Sequence, residues 1–538
     1  MKHLLFFYIL TALHIIPAPA SVEMDKGTYR LSGSNFNCEA SLDEKTQNAI
    51  AELADRISLV SEKTTNFAPS PNLSKSPTLK GVCFLKDASK ESGEYSIDIR
   101  TNVVKVLASD FYGFLYAIQT LKQMLPPSIY GTVPAPSEKY SVPCCRIHDK
   151  PRFGYRGMHL DCARHFFSVN EVLRYLDIMA VYKLNTLHWH LSDDQGWRVE
   201  IRRFPMLTTI GAYRSGTQVG YDRASSDGIS YGGYYTQDEI RVVVEYASRL
   251  GITIIPEIDL PGHMLAALAS YPELGCTGGP YRVWTRWGIS PQVLCPGKDE
   301  TFAFLRGVMD EICELFPSEY IHIGGDECPK TEWEKCPLCQ KRIEELGLLS
   351  DEHATKEQRL QNYVMATIQK YLEGKGRKII GWDEILEGEL SEGATVMSWR
   401  GTKGGIKAAA MGFDVVMTPN TYCYFDYAQS TDLKSEPLGN TRDPKRAIPL
   451  EKIYSYDPLL NLDEASASHI KGVQANLWTE YIRTPDHLEY MLLPRLLALS
   501  EVQWCDPGKK DWDRFCTSIR NHQYGVFEAM MMNYRKLD

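Results

Sequence analysis

The spacing of apolar and polar residues changes near residue 150. Upstream, capping signals and short alternating runs dominate. Ser41-Leu42-Asp43-Glu44 has the form of a capping box and predicts a helix through about Leu59. Residues 66–80, rich in Pro, Ser and Asn, predict a loop. Tyr95-Ser96-Ile97-Asp98-Ile99 alternates, turns at Thr101-Asn102 and resumes from Val103 to Leu107, a hairpin pattern. A further helix is predicted from about Asp110 to Leu125, where Pro126-Pro127 stops it, and Pro134, Pro136 and Pro143 mark a linker. Residues 21–150 are thus expected to form a small α+β domain.

From Tyr155 onward, strand-like apolar runs alternate with helical patterns. The runs end near Asp161, Ser192, Ile258, Gly325, Trp382, Trp399, Pro419 and Trp478. Ser168-Val169-Asn170-Glu171 and Thr236-Gln237-Asp238-Glu239 are capping boxes between them, and Gly251 suits a helix C-terminus. Buried runs such as Ile252-Thr253-Ile254-Ile255 belong to parallel sheets covered on both faces. Repeated βα units over residues 151–505 predict a (β/α)8 TIM barrel, followed by a helical extension over 506–538. A doubly wound sheet is the alternative, but no glycine-rich fingerprint follows a first strand.

Composition narrows the function. Of 538 residues, 43% are hydrophobic and 24% charged, which is globular and not disordered. The net charge of −9 offers no basic stripe for nucleic acid and fits an uncharged partner. Met1-Lys2-His3, the apolar run Leu4 to Leu13 and Ala18-Pro19-Ala20 resemble a secretory leader over residues 1–20. The run is too short to span a bilayer, and no later stretch is long enough without charges. The expectation is an exported protein, periplasmic or secreted, without a membrane span. No Cys follows Ala20, which argues against a lipoprotein anchor. Asn72-Leu73-Ser74 is a glycosylation sequon.

Fourteen cysteines make disulfides possible in such a compartment. Cys276 and Cys295 bracket a loop containing Gly and Trp and are candidates for a bridge. Cys336 and Cys339, with Cys328 nearby, have C-x-x-C spacing that could supply half a zinc site. A fourth ligand is not evident in the neighbouring sequence, so disulfides or free thiols are the favoured expectation.

A barrel of this kind works at the carboxyl ends of its strands. Those ends carry His188-Trp189-His190 with Asp193-Asp194, Glu257-Ile258-Asp259 with His263, and His322-Ile323-Gly324-Gly325-Asp326-Glu327. Later ends bring Trp382-Asp383-Glu384, Trp399, Tyr424-Phe425-Asp426 and Trp478-Thr479-Glu480. Acids, histidines and tryptophans with little Lys or Arg fit glycoside chemistry better than phosphate chemistry. His188 and His190, two apart on a strand, face one way and could ligate a metal. No matching His follows at the fifth, sixth or eighth ends, so a polar supporting role is the simpler reading, as it is for His322. Asp161, Arg164 and His165 fit a network that ties loops together. A sugar-binding protein without catalysis is a third reading.

These motifs, with Arg156-Gly157-Met158-His159-Leu160-Asp161, Arg164-His165-Phe166 and Pro261-Gly262-His263, resemble in order the β-N-acetylhexosaminidases of glycoside hydrolase family 20. The resemblance covers residues 150–505 and extends to the small preceding domain. It implies an exo-acting, retaining enzyme in which the substrate's own acetamide replaces an enzyme nucleophile. Adjacent residues leaving a strand point to opposite sides, so Asp326 and Glu327 are not expected to form a conventional acid–nucleophile pair. By resemblance, Glu327 is the acid and base, Asp326 orients the acetamido group and Tyr424 donates to its oxygen. Asp193 and His263 match a relay behind Glu327. Trp382, Trp399 and Trp478 match the walls around the sugar, and Arg156, Asp426 and Glu480 match residues that bind its hydroxyls. Arg156 lies at the start of its predicted strand, so its place rests on the resemblance alone. The implied partner is a glycan or glycoconjugate, with no metal and no organic cofactor. Intact Asp326, Glu327 and Tyr424 favour catalysis over mere binding.

Overall fold

The computed structural model describes residues 13–75, 78–387 and 393–537. Its first domain is a seven-stranded mixed sheet ordered Ser21–Arg30, Ser141–Asp149, Tyr95–Arg100, Val103–Ala108, Gly81–Lys86, Asn35–Glu39 and Asn66–Ser70. The predicted hairpin forms with Tyr95 opposite Ala108 and Arg100 opposite Val103. Its alternation buries Tyr95, Ile97 and Ile99 on the face covered by helices Glu44–Ser61 and Phe111–Gln123. Three local expectations are corrected. The first helix is capped by Asp43, whose carboxylate accepts from Thr46 N at 3.0 Å, and not through a Ser41 box. Residues 66–70 form an edge strand parallel to Asn35–Glu39, where Pro69 costs no interior ladder bond. Pro143 sits inside a strand beside an irregularity in pairing between Met24 and Thr28, and not in a linker.

Eight parallel strands close the second domain into a barrel: Tyr155–Asp161, Thr186–His190, Thr253–Leu260, Tyr320–Gly324, Lys378–Trp382, Thr395–Ser398, Val415–Met417 and Ile470–Ala475. Sequence pattern placed all eight in order, with ends displaced by at most a few residues. Both predicted capping boxes are present, opening helices Val169–Val181 and Gln237–Arg249. Gly251 adopts φ +69°, and a Cβ there would also stand 2.7 Å from Leu115 Cδ2. The barrel is filled by side chains, so its chemistry is confined to the ends.

Asp149, fully buried where the first domain meets the barrel, joins several elements. Its carboxylate accepts from Tyr95 Oη at 2.5 Å, Trp504 Nε1 at 2.8 Å and Ala20 N at 3.0 Å, and Lys183 Nζ lies 3.0 Å away. Helices Trp512–Ser518 and Tyr524–Ala529 of the C-terminal segment pack at the same junction. The start of the folded domain is also corrected. Residues 1–12 of the expected leader lie outside the described residues, but Leu13, Ile15 and Ile16 are buried in the common core. Ile16 N donates to Gln123 Oε1 at 2.9 Å, and Gln123 Nε2 donates back to Ile16 O at 2.7 Å. Packing therefore reaches upstream of Ser21. Among the described residues, no helix is long and apolar enough to cross a membrane.

Candidate active site

The carboxyl ends of the barrel strands gather a continuous network of acids and histidines. On a strand, side chains two apart share a face, so His188 and His190 point inward together, as do Glu257 and Asp259. Glu257 is the centre of the floor. Its Oε2 lies 2.9 Å from His188 Nε2 and 2.5 Å from His190 Nδ1, and its Oε1 accepts from Trp382 Nε1 at 2.8 Å. His322 Nδ1 lies 3.0 Å from the same oxygen. Burial alone would raise the Glu257 carboxyl, but His322, His190 and His188 together hold it well below the usual range. Burial likewise lowers the two strand histidines, taking His188 down to about 4; at His190 the Glu257 and Asp193 carboxylates outweigh it and take that ring up to about 10. The histidines considered as metal ligands thus lie against carboxylates, and the two acids beside His190 favour its cation.

The network leads upward from this floor. His190 Nε2 lies 2.9 Å from Asp193 Oδ2, Asp193 Oδ1 lies 3.1 Å from His263 Nδ1, and His263 Nε2 faces Glu327 Oε2 at 3.6 Å and Asp326 Oδ2 at 3.8 Å. Arg164 adds charge from the side: Nη2 lies 2.8 Å from Asp193 Oδ2 and Nη1 lies 3.2 Å from Asp161 Oδ2. Burial disfavours the His263 cation, but Asp193 outweighs it and holds the ring well above its ordinary pKa. Asp326 is pushed up to about 6, first by burial, against the pull of His263 and with a further push from Glu327. Asp259, buried next to Asp326, is raised well above the carboxylate range by burial and by that neighbour.

Backbone geometry explains how two adjacent acids reach one histidine. The fourth strand ends at Gly324, and the chain then passes through φ +62° at Gly324, +99° at Gly325 and +45° at Glu327. A Cβ on Gly324 would stand 1.7 Å from Asp259 Oδ1, so only glycine fits. Strand alternation is broken there, which corrects the expectation that Asp326 and Glu327 point to opposite sides. His263 also has positive φ, +52°. For non-glycine residues such conformations cost on the order of 1–3 kcal/mol each, and both belong to the reacting end of the network. The neighbouring loop is held by Asp194, whose carboxylate accepts from Leu265 N at 3.1 Å and Ser290 N at 2.9 Å.

Aromatic rings and acids complete the cleft. Trp382 and Trp478 lie 5.8 Å apart between ring centres, and Trp399 stacks on Tyr424 at 6.2 Å. Trp399 Nε1 donates to Glu384 Oε2 at 3.0 Å, and burial, Asp326 and Asp383 push that carboxyl up to about 9. Asp426 is positioned by the buried Arg495, which donates to the carbonyls of Phe425 at 2.5 Å and Tyr427 at 2.8 Å. Asp161 ties the first strand to the eighth: it accepts from Arg164 N at 3.1 Å and Thr479 N at 3.1 Å, fixing the segment between Trp478 and Glu480. Asp326 Oδ1, both carboxylate oxygens of Asp426 and Glu480 Oε2 are buried without a hydrogen-bond partner of good geometry in the protein. Buried acceptors of this kind want donors, and four of them around aromatic faces suit a polyhydroxylated ring bearing an N–H.

Of the residues expected at the site, the structure brings together Asp193, His263, Asp326, Glu327, Trp382, Trp399, Tyr424, Asp426, Trp478 and Glu480. It does not bring Arg156. That side chain lies at the opposite end of the barrel, donating to Lys183 O at 2.9 Å and Phe153 O at 2.8 Å, with its guanidinium 5.0 Å from the Trp504 ring. It borders a cavity of about 890 Å³ that also meets Asn185, Thr253 and Lys378, at the amino ends of the strands. Arg164 is the arginine at the site, near Glu480 and 5.0 Å from the Trp478 ring. Glu257, Asp259 and Arg495 are supporting residues that sequence reasoning did not assign. The sequence already places Glu257 and Asp259 at a strand end, and their period-two spacing is the signal that they face inward together.

Comparison with known proteins finds relatives along nearly the whole chain. The sequence model described as Glycosyl hydrolase family 20, catalytic domain, matches residues 153–507, and that for domain 2 of the same family matches residues 12–150. A β-hexosaminidase of Porphyromonas gingivalis is 39% identical over 516 residues, which cover 95% of this chain and 62% of that protein. The chain thus spans less than two thirds of that relative. A β-hexosaminidase of Vibrio furnissii is 35% identical, covering 91% of this chain and 76% of its own length. Among solved structures, the family 20 exo-β-N-acetylglucosaminidase of Vibrio harveyi in complex with N-acetylglucosamine superposes with a TM-score of 0.82 at 33% identity, over 98% of this chain and 78% of that one.

Proposed function

The chain belongs to glycosyl hydrolase family 20, and from that membership we propose that it is an exo-acting β-N-acetylhexosaminidase. It removes terminal β-linked N-acetylglucosamine or N-acetylgalactosamine from glycans with retention of configuration. The observation that carries this reading is the convergence of adjacent Asp326 and Glu327 on His263 Nε2, at 3.8 and 3.6 Å.

Glu327 donates a proton to the glycosidic oxygen as the C1–O bond breaks. The acetamide carbonyl oxygen attacks C1 from the opposite face and closes an oxazolinium ring, so no bond to the enzyme forms. Asp326 accepts the acetamide N–H, fixes its orientation and stabilises the positive charge. Tyr424 donates to the acetamide oxygen. Water then attacks C1, giving its proton to Glu327, and two inversions leave the β configuration. The tryptophans exclude bulk water from the cyclic intermediate. Asp426 and Glu480, rich in unmet acceptors, bind sugar hydroxyls beside Arg164. Export by the N-terminal segment is part of the same proposal, and the mass of the mature amino terminus tests it.

The experiment is hydrolysis of an aryl β-N-acetylglucosaminide and of the matching β-glucoside, by the protein and by Asp326→Asn. We expect cleavage of the acetamido sugar alone, and a loss of about 10²-fold or more in the variant, the scale of losing one oriented charge-stabilising group. Equal cleavage of both sugars, or near-normal turnover by Asp326→Asn, overturns the reading.

A further inference from the structure

Away from the catalytic network, four cysteines distant in sequence converge. Cys339 Sγ lies 3.8 Å from Cys276 Sγ and 3.5 Å from Cys295 Sγ, and Cys295 Sγ lies 3.7 Å from Cys336 Sγ. All four sulfurs lie within 4.8 Å of one another. We propose that Cys276, Cys295, Cys336 and Cys339 form a structural zinc site.

The dimensions fit the ion. Zinc–thiolate bonds of about 2.3 Å in a tetrahedron place the sulfurs roughly 3.8 Å apart, and the set is closed, with no position for water or substrate. A pairwise disulfide scheme gives each sulfur one close neighbour, whereas Cys295 and Cys339 each have two. Four thiolates with no carboxylate or imidazole among them select zinc over calcium or magnesium.

The backbone is shaped around the cluster. Cys295 N donates to Leu274 O at 2.8 Å, which sets Cys295 beside Cys276. Cys336 and Cys339 open helix Pro337–Glu345, whose amino end favours negative charge. Gly297 presses on that turn so closely that a Cβ would stand 2.3 Å from Leu338 C and 2.6 Å from Cys339 N. Lys298 Nζ donates to the carbonyl of Gly275, the residue before Cys276, at 2.7 Å. Binding breaks four S–H bonds, forms four Zn–S bonds and releases four protons to solvent, with no change of oxidation state.

The site explains cysteines that the fold's chemistry does not use. It staples the loop after the third barrel strand, which carries His263, to the segment following Glu327. Trp333, in the same apolar cluster as three of the four cysteines, adds a bond from Nε1 to Leu294 O at 2.8 Å.

The test is elemental analysis of the full chain after exhaustive dialysis in metal-free buffer, with a mercurial titration that reads released zinc and blocked thiols together. The expected result is about one zinc per chain, released as these thiols are blocked. It is lost in Cys336→Ser/Cys339→Ser and kept in Cys313→Ser. Should the double variant not fold, refolding the natural chain with cobalt is the second measurement, and an intense thiolate-to-cobalt absorption typical of four-sulfur ligation is expected. Iron in place of zinc, an intact mass showing these cysteines joined as disulfides, free thiols that take up neither zinc nor cobalt, or zinc that persists in the double variant each overturns the proposal.

Discussion

His263 Nε2 lies 3.6 Å from Glu327 Oε2, while the other nitrogen of the same ring lies 3.1 Å from Asp193 Oδ1. The imidazole therefore carries the influence of a fully buried carboxylate to the group assigned as acid and base. Removing the charge of Asp193 without changing its shape takes away the largest influence that opposes burial at His263, so its pKa falls, although Asp194 and Glu327 still favour the cation. Asp193→Asn is expected to lower kcat by about 10²-fold, the lower range for disturbing general acid–base catalysis, with little change in KM. A limb set by loss of the His263 cation should move to lower pH. A uniform loss with an unmoved profile would assign Asp193 a merely structural role.

The acidic limb belongs to Asp326. Its carboxyl is pushed up to about 6 by burial, and the proposed reaction needs its anion. The sign follows: activity requiring the anion is present above about pH 6 and is lost as pH falls through it. Asp193 contributes no limb there, because Arg164 and His263 outweigh burial and hold it far below the usual range. The expected outcome is an acidic limb near pH 6 in kcat/KM that disappears from the residual activity of Asp326→Asn. A limb at the ordinary carboxylate value would remove Asp326 from that role.

The barrel was legible because fully buried parallel strands leave continuous apolar runs, and capping boxes mark helix starts by local chemistry alone. Site residues were legible where the strand ends concentrate unusual residue types, as at His322-Ile323-Gly324-Gly325-Asp326-Glu327. What stayed hidden depends on three dimensions. The left-handed path through Gly324, Gly325 and Glu327 cancels the alternation from which the two acids' directions were inferred. The four cysteines span residues 276 to 339, so no local spacing shows that they meet. Arg495 works through backbone carbonyls, which carry no sequence signal.

Arg156 and Arg164 separate resemblance from geometry. Arg156 faces the domain junction, where its loss leaves buried carbonyls unpaired at roughly 1–3 kcal/mol each. Arg156→Ala is therefore expected to lower Tm while KM and kcat at permissive temperature stay close to normal. Arg164→Ala removes a cation between Asp161 and Asp193, and kcat/KM should fall by about 10²-fold or more. Kinetics of both variants at a temperature where each is folded checks this. A KM defect specific to Arg156→Ala would restore it to the sugar site.

The packed segment before Ser21 predicts the effect of a truncation. Leu13, Ile15 and Ile16 are buried, and burial of such side chains contributes about 1.5–3 kcal/mol each. Ile16 also exchanges two hydrogen bonds with Gln123, and Ala20 N donates to Asp149 at 3.0 Å within the hub that joins both domains. A chain beginning at Ser21 loses these contacts and leaves Gln123 only its longer bonds, from Nε2 to Val181 O and from Gln523 Nε2 to its Oε1, both 3.2 Å. It should melt about 5 °C or more below a chain beginning at Leu13, with kcat at low temperature little changed, because the site lies at the other end of the barrel. Thermal melts of the two chains, monitored by circular dichroism and by residual activity, measure the difference. Equal melting temperatures would mean that residues 13–20 contribute no net stability, and that Ser21 is a sufficient start for the folded domain.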